Sequence, residues 1–220
     1  MCGRYTLVKT GEIERRFGVQ QESFSLEARY NIAPSQQLPI VLKNSPAHLE
    51  LMRWGLVPFW AKDVSIGYKM INARAEGIAQ KPAFRQPFRQ QRCIVPASGF
   101  YEWQKLGSRK IPYYFRLKET ELFGFAGLYD TYTDENGQKL RTYTIITTAA
   151  NELVGEVHDR MPVILRPEDE ESWLNPDLHD PETLLALLKT YPAELMETYA
   201  VSSEVNKPQN EGPQLLERVA

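Results

Sequence analysis

Short segments rich in β-branched and aromatic residues follow one another along the chain, without the regular strand and helix alternation of a parallel doubly wound sheet. Segments of this length and composition predict strands. They are RYTLV, LPIVL, HLELMRW, RCIVP, GFYEW, PYYFRL, LFGFAGLYD, RTYTIITTA and MPVIL. The pattern therefore predicts an α+β fold with a mainly antiparallel, barrel-like β core.

Short helices are predicted outside this core. IERRF follows Thr10 as a capping residue, while ANELVGEVH and PEDEESWL are further helical segments. Asp180 and Pro181 begin PETLLALLKT with a capping side chain and a fixed φ angle. Asn136-Gly137 tolerates positive φ angles, so YTDENGQKLRTYT predicts a hairpin.

The 220-residue chain shows no internal repeat or linker, and we expect one domain spanning residues 1–220. No apolar run approaches the roughly 20 residues that a membrane span requires, and the first residues do not resemble a secretory signal. We therefore expect no membrane partner and a cytoplasmic protein. No amphipathic heptad pattern is present, so we expect a monomer.

The two cysteines and three histidines do not have the spacing of a metal site. Cys93 lies in the apolar segment RCIVP, which predicts a buried thiol in the core. We expect neither a metal nor another cofactor.

Charge is distributed unevenly along the chain. Residues 1–116 contain 18 Lys and Arg against 8 Asp and Glu, whereas residues 117–220 contain 8 against 20. The first balance is +10 and the second −12, which together give the net charge of −2. Such a division indicates a basic surface for a polyanion. Alternatively, strands from residues 1–116 and 117–220 interleave in the fold, so that their opposite charges cancel at the surface.

Cys2 directly follows the initiator methionine in MCGRYT. Small second residues permit methionine removal, and we expect Met1 to be removed. The mature chain would then begin with an α-amine and a thiol on adjacent carbons, both partly neutral near pH 7. Such a pair attacks an aldehyde first through nitrogen and then through sulfur, closing a thiazolidine ring. Alternatively, Cys2 is a small residue on a frayed terminus.

Three further segments contain polar residues suited to chemistry. Asn72 and Arg74 share one face of MINARAE if this segment is extended, although Asn72 could instead cap a helix. Aromatic neighbours in GFYEWQK would desolvate Glu102 and raise its pKa, unless it faces solvent and pairs with Lys105. His158 in VHDRMPVIL suits proton transfer, but a helix C-terminus also favours imidazolium for structural reasons.

Taken together, MCGRYT, RYNIAPSQ, RWGLVPFWAK, MINARAE, GFYEWQK and VHDRMPVIL closely resemble the SOS response-associated peptidase family. These blocks occur in order over residues 1 to about 165, and VSSEVNKP resembles the family's carboxyl-terminal stretch. The resemblance implies recognition of abasic sites in single-stranded DNA and covalent bonding to them through Cys2. It also implies a DNA-damage role with nucleoid association when DNA is bound.

The resemblance also implies roles for individual residues. Cys2 would be the nucleophile, Asn72 would position the terminal amine or the sugar, Glu102 would assist ring opening, and His158 would move protons. The expected DNA-binding residues are basic, aromatic or wedge-shaped, and they are Arg4, Pro34, Trp60, Arg74, Trp103 and Arg160. Trp54 is a further candidate for base stacking. In the alternative, it is a core residue, because it alternates with apolar neighbours in its strand.

Two other functions remain open at the level of sequence. An amino-terminal thiol also serves as the nucleophile of hydrolases that use their own amine as base, so a thiol peptidase is the alternative enzyme. Self-removal of Met1 would satisfy that activity, and a lyase activity would accompany DNA bonding. The third function is passive binding of single-stranded DNA.

Overall fold

Two β-sheets dominate the computed structural model, which describes residues 2–20, 24–43 and 47–219. The strands of these residues are β1 (Tyr5–Leu7), β2 (Arg29–Ile32), β3 (Gln37–Leu42), β4 (His48–Trp54), β5 (Asn72–Arg74), β6 (Arg92–Ala97), β7 (Gly99–Leu106), β8 (Arg109–Leu117), β9 (Phe123–Thr133), β10 (Lys139–Ala149), β11 (Arg160–Pro162) and β12 (Met196–Ala200). The α-helices are α1 (Ile13–Phe17), α2 (Arg85–Gln90), α3 (Glu152–Gly155), α4 (Pro167–Leu174) and α5 (Pro181–Ala186).

Five strands close into a barrel in the order β10, β4, β3, β6, β9 and back to β10. All of these pairings are antiparallel except that of β4 with β10. The short strand β5 also runs parallel to β10, and β11 runs antiparallel to it. The predicted α+β fold with a mainly antiparallel, barrel-like β core is therefore confirmed.

The second sheet is wholly antiparallel and has the order β12, β8, β7, β1, β2. Strand β1 pairs with β7 through Tyr5 and Phe100, and the N–H of Tyr101 donates to the carbonyl of Arg4 at 3.0 Å. These bonds fix the start of the chain beside β7. Tyr5 also packs edge-on against Trp54 and Phe125 of the barrel, so the two sheets share apolar contacts.

The helices are short and agree with the sequence to different degrees. Helix α4 begins at Pro167, and the carboxylate of Asp180 accepts from the N–H of Thr183 at 2.8 Å as the cap of α5. Thr10 was wrongly expected to cap α1. It begins a 3₁₀ turn, and Glu12 occupies the cap position without a side-chain hydrogen bond. An additional turn before the helix moves the cap by two residues.

The hairpin between β9 and β10 is confirmed, with Thr133 opposite Lys139. Gly137 adopts a φ of +80°, whereas Asn136 does not enter the left-handed region. Instead, the carboxylate of Asp134 accepts from the N–H groups of Asn136 and Gln138 at 2.9 and 2.8 Å. The turn is therefore a five-residue loop organised by an aspartate.

The predicted core thiol Cys93 is fully buried, and Trp54 is only 1% exposed, so the core alternative holds for Trp54 and stacking on DNA does not. Both lie in strands of the barrel, Trp54 in β4 and Cys93 in β6, and their apolar neighbours in sequence are typical of such strands. Among the helices of the described residues, none combines the length and apolar character needed to cross a bilayer.

Ion pairs between the two segments of the chain neutralise part of the charge division. Basic residues of the first segment pair with acidic residues of the second because their strands and helices are interleaved. These pairs are Lys9–Glu121, Arg16–Glu170, Arg29–Glu211, Lys43–Glu171 and Arg116–Glu197. For these residues, interleaving of the two segments therefore cancels part of the charge division, as the alternative interpretation of the sequence expects.

Candidate functional site

Cys2 precedes β1 by three residues and is fully buried rather than frayed. Its thiol is free and lies 3.9 Å from the carbonyl of Arg4. Burial raises the pKa of the Cys2 thiol, and the nearby charge of Glu102 raises it further. At neutral pH the sulfur therefore keeps its proton and needs a proton acceptor before it attacks as a thiolate. Met1 lies outside the described residues.

Asn72 holds the backbone of Cys2. Its side-chain Nδ2 donates to the carbonyl of Cys2 at 2.8 Å. The residue begins β5 and pairs with Ile145 of β10, so it lies in a strand and not at a helix cap. Its Oδ1 is buried and has no hydrogen-bond partner among the described residues. Because an unsatisfied buried acceptor is costly, this oxygen is suited to receive a donor.

Glu102 lies on β7 and is only 3% exposed, so the solvent-facing alternative does not hold. Burial raises the pKa of Glu102 to about 7. A carboxyl group with this pKa exchanges its proton near neutrality and serves as a general acid or base. The charge of Glu102 also helps to raise the pKa of the Cys2 thiol.

His158 follows α3, and its backbone N–H donates to the carbonyl of Val154 at 2.9 Å. Ring atom Nδ1 accepts from the N–H of Arg160 at 3.0 Å and lies 2.9 Å from the Asp159 carboxylate. Burial lowers the pKa of His158, which outweighs the opposing effect of Asp159. The imidazole is therefore suited to accept a proton near neutrality, in contrast to a helix-terminal imidazolium.

A cavity of about 420 Å³ brings several of these residues together. Its lining residues are Arg4, Glu102, Trp103, Lys105, Lys110, His158 and Asn206. The guanidinium of Arg4 lies 5.7 Å from the centre of the Trp103 ring, and it donates to the Val205 carbonyl at 2.7 Å. Trp103 in turn donates from Nε1 to Asn206 at 2.7 Å. The carboxyl-terminal segment thus fixes both cavity residues.

Arg74 and Arg160 lie on strands that flank the same part of β10. Arg74 is opposite Thr147, and Arg160 is opposite Ala149. Arg160 forms a bidentate pair with Glu76 at 2.7 and 2.9 Å, while Arg74 is exposed. The pairing and the charge of Arg74 lower the pKa of Glu76. The site therefore contains a basic cluster that one acidic residue partly neutralises.

Pro34 and Trp60 lie on loops outside the cavity lining. Pro34 is in the turn between β2 and β3, next to Ser35, whose N–H donates to the Trp54 carbonyl at 2.8 Å. Trp60 is 47% exposed, and Phe59 and Tyr68 are also exposed, at 55% and 62%. The structure does not bring Trp60 into contact with Cys2.

Sequence reasoning did not identify Lys105, Lys110, Asn206 and Glu76 as site residues. The segment VSSEVNKP contained a signal for Asn206, since it was part of the family resemblance. The pairing of β7 with β8 places Lys105 and Lys110, whereas Glu76 lies two residues after β5, where it pairs with Arg160. No group of His, Cys, Asp and Glu suited to holding a metal occurs in the part of the chain that the structure describes.

The fold and this site define a small β-barrel protein in which the thiol of Cys2 is buried and the likewise buried carboxyl group of Glu102 has a raised pKa. The model of the family SOS response associated peptidase (SRAP) matches residues 1–208. The chain therefore belongs to this family.

Named relatives and a solved structure agree with this assignment. The chain is 50% identical over 222 residues to abasic site processing protein YoqW of Bacillus subtilis, covering 99% of both chains. It is 30% identical over 227 residues to abasic site processing protein HMCES of Xenopus tropicalis, covering 89% of this chain and 67% of the relative. A crystal structure of a Bacteroides thetaiotaomicron protein matches with a TM-score of 0.92 and 33% identity, covering all of both chains.

Proposed function

We propose that this protein recognises abasic sites in single-stranded DNA and forms a covalent bond with them through Cys2. The names of its relatives support abasic-site processing. The observation that carries the covalent step is the hydrogen bond from Asn72 to the Cys2 carbonyl, which holds a fully buried thiol within the electrostatic influence of Glu102.

The reaction requires Met1 to be removed by hydrolysis. The freed amine of Cys2 then attacks the aldehyde carbon of the ring-opened deoxyribose, forming a C–N bond and releasing the oxygen as water. The sulfur next attacks the same carbon, and the thiol proton passes to the nitrogen as the thiazolidine closes. Bonds and protons balance without an oxidant or reductant.

Each site residue has a proposed part in this sequence. Glu102 has a pKa of about 7 and transfers protons during ring opening and sulfur attack. His158 has a lowered pKa and takes up protons during Schiff-base formation and reversal. The unpartnered Oδ1 of Asn72 accepts a hydrogen bond from the terminal amine.

The remaining candidate residues bind the DNA strand. We expect Arg4, Arg74 and Arg160 to contact the phosphates next to the lesion, whose charge dominates affinity for nucleic acids. Arg74 is exposed, whereas Arg160 must exchange Glu76 for a phosphate. Trp60, Trp103 and Pro34 provide stacking and wedge surfaces, as in other single-strand binders. We propose a monomer that bonds to one lesion.

The test compares a single-stranded oligonucleotide with one abasic site and its undamaged counterpart on a denaturing gel. We expect a band that resists denaturation only with the lesion, and none with Cys2→Ala. Cys93→Ala is the matched control because Cys93 is also a free, buried thiol. Equal bonding by wild type and Cys2→Ala would refute the covalent mechanism. Binding of undamaged DNA by Cys2→Ala should remain and should weaken with salt.

The alternative function is that of a thiol peptidase, which the description of the matched family favours. Met1 is then the first substrate to test. Because small second residues permit methionine removal by the host, both proteins are synthesised in a translation system without methionine aminopeptidase before their intact masses are compared. Self-cleavage predicts that only Cys2→Ala retains Met1. Loss of Met1 from both proteins would argue against self-cleavage.

A further inference from the structure

Two lysines face each other at the mouth of the cavity. The register of β7 and β8 places Lys105 directly opposite Lys110, and both are exposed. Like charges at directly opposed positions of an antiparallel pair destabilise the sheet. An arrangement that is unfavourable in the free protein becomes favourable when an anion lies between the two ammonium groups.

Among the described residues, neither lysine belongs to an ion pair. The guanidinium of Arg4 lines the same cavity and adds a third positive charge. The acidic residue of the lining, Glu102, is buried, and its pKa of about 7 leaves it partly protonated at neutral pH. The mouth of the cavity therefore carries excess positive charge, which attracts anions.

The lysines lie beside an aromatic surface. Trp103 precedes Lys105 by two residues on β7, so the two side chains point to the same face of the strand. Arg4 packs over the Trp103 ring, and Asn206 accepts a hydrogen bond from the indole, which fixes its orientation. A flat ring with adjacent cations is the arrangement with which proteins hold a base and its phosphate.

We propose that Lys105 and Lys110 form a phosphate subsite that holds one phosphodiester of the DNA strand next to the lesion. This inference rests on the proposed function, since it concerns the strand that enters the same cavity. The two flexible ammonium groups converge on one phosphate from opposed strands. Lys105 also helps to lower the pKa of His158, so an anion at the subsite would raise that pKa.

The first experiment measures binding of an undamaged single-stranded oligonucleotide by fluorescence anisotropy at several salt concentrations. We expect Lys105→Gln/Lys110→Gln to bind about fourfold more weakly at 0.15 M salt and to lower the slope of log affinity against log salt by about 0.7, the value for one phosphate of a single strand. Lys105→Arg/Lys110→Arg keeps the charges and should bind as wild type. Arg109→Gln/Lys139→Gln is the matched control because it removes two exposed charges outside the cavity.

The second experiment locates the phosphate. Single methylphosphonates replace each phosphate near the abasic site in turn, and the rate of covalent bonding is measured. Neutralising one particular phosphate should lower the rate of covalent bonding by wild type but not by Lys105→Gln/Lys110→Gln. The variant should also be at least as resistant to thermal unfolding as wild type, because the like-charge repulsion is removed.

The subsite would be overturned if the lysine variant and the matched control lost affinity equally, or if the lysine variant bound undamaged DNA as wild type does. It would also be overturned if every methylphosphonate slowed covalent bonding to the same extent. These results are distinguishable from failure of the proposed function. If wild type forms no covalent bond with abasic DNA, the covalent mechanism fails, while the anisotropy measurement still decides whether the lysines hold a phosphate.

Discussion

Replacing Glu102 with glutamine should stabilise the protein at neutral and alkaline pH while impairing its chemistry. The side chain keeps its shape and its oxygen acceptor but loses the charge that burial disfavours. The pKa of Glu102 in the folded chain is about 7, against an ordinary value of 4.5. At about 1.4 kcal/mol per pKa unit, the buried carboxylate costs up to about 3 kcal/mol of folding free energy.

The sign of this effect depends on pH. Below 4.5 both the folded and the unfolded chain hold the proton, so the carboxyl group costs nothing. Between 4.5 and 7 the unfolded chain releases the proton first, and the stability of wild type falls as pH rises. Above 7 the full cost is present. The difference between Glu102→Gln and wild type should therefore grow from near zero to about 3 kcal/mol.

Urea unfolding of both proteins at pH 5 and pH 8 measures this difference. Glu135→Gln is the control, because Glu135 is exposed in the hairpin loop and its replacement should change little. A difference that is the same at both pH values, or that decreases with pH, would refute the argument that burial controls Glu102. The same variant should bond to abasic DNA more slowly while binding undamaged DNA normally.

Three further variants test other parts of the structure. Trp60→Ala should weaken non-covalent binding of single-stranded DNA by about 5-fold to 150-fold, with the melting temperature unchanged because the ring is exposed; unchanged affinity would exclude stacking on this ring. Glu76→Gln should strengthen binding of undamaged DNA about fourfold at 0.15 M salt by releasing Arg160 from its carboxylate, and weaker binding would show that the pair organises the site. Gly99→Ala should lower the free energy of unfolding by about 1–3 kcal/mol because its methyl group would collide with the Tyr114 ring, whereas wild-type stability in urea would mean that the ring moves aside freely.

The strand pattern could be predicted from the sequence because it depends on neighbouring residues. Segments such as HLELMRW and RTYTIITTA show their burial in their own composition, and both form strands of those bounds or slightly longer. Strands β2, β5 and β12 were not among the predicted segments, since they are short and contain few β-branched residues. Helix α2 was also not predicted, because RQPFRQ contains a proline and lacks an apolar period.

The site could be predicted only as a set of residue types. The sequence alone shows that Cys2 is the second residue, and it also shows the aspartate that caps α5. Partners that are distant in sequence were not predictable, and Arg160 illustrates this. Its basic character was evident, but its bidentate pair with Glu76 depends on β5 and β11 lying on either side of β10.

The sequence by itself determined the β-rich fold class, the Asp180 cap of α5 and the residue types of the candidate site, because these depend on covalent order and local conformational preference. Only the tertiary structure decided that β4 and β10 close the barrel, that Asn72 holds Cys2, and that burial raises the pKa of Glu102 to about 7. A pKa responds to the solvent and charge around a group. That environment is created by chain segments far apart in sequence, so it exists only after they pack together.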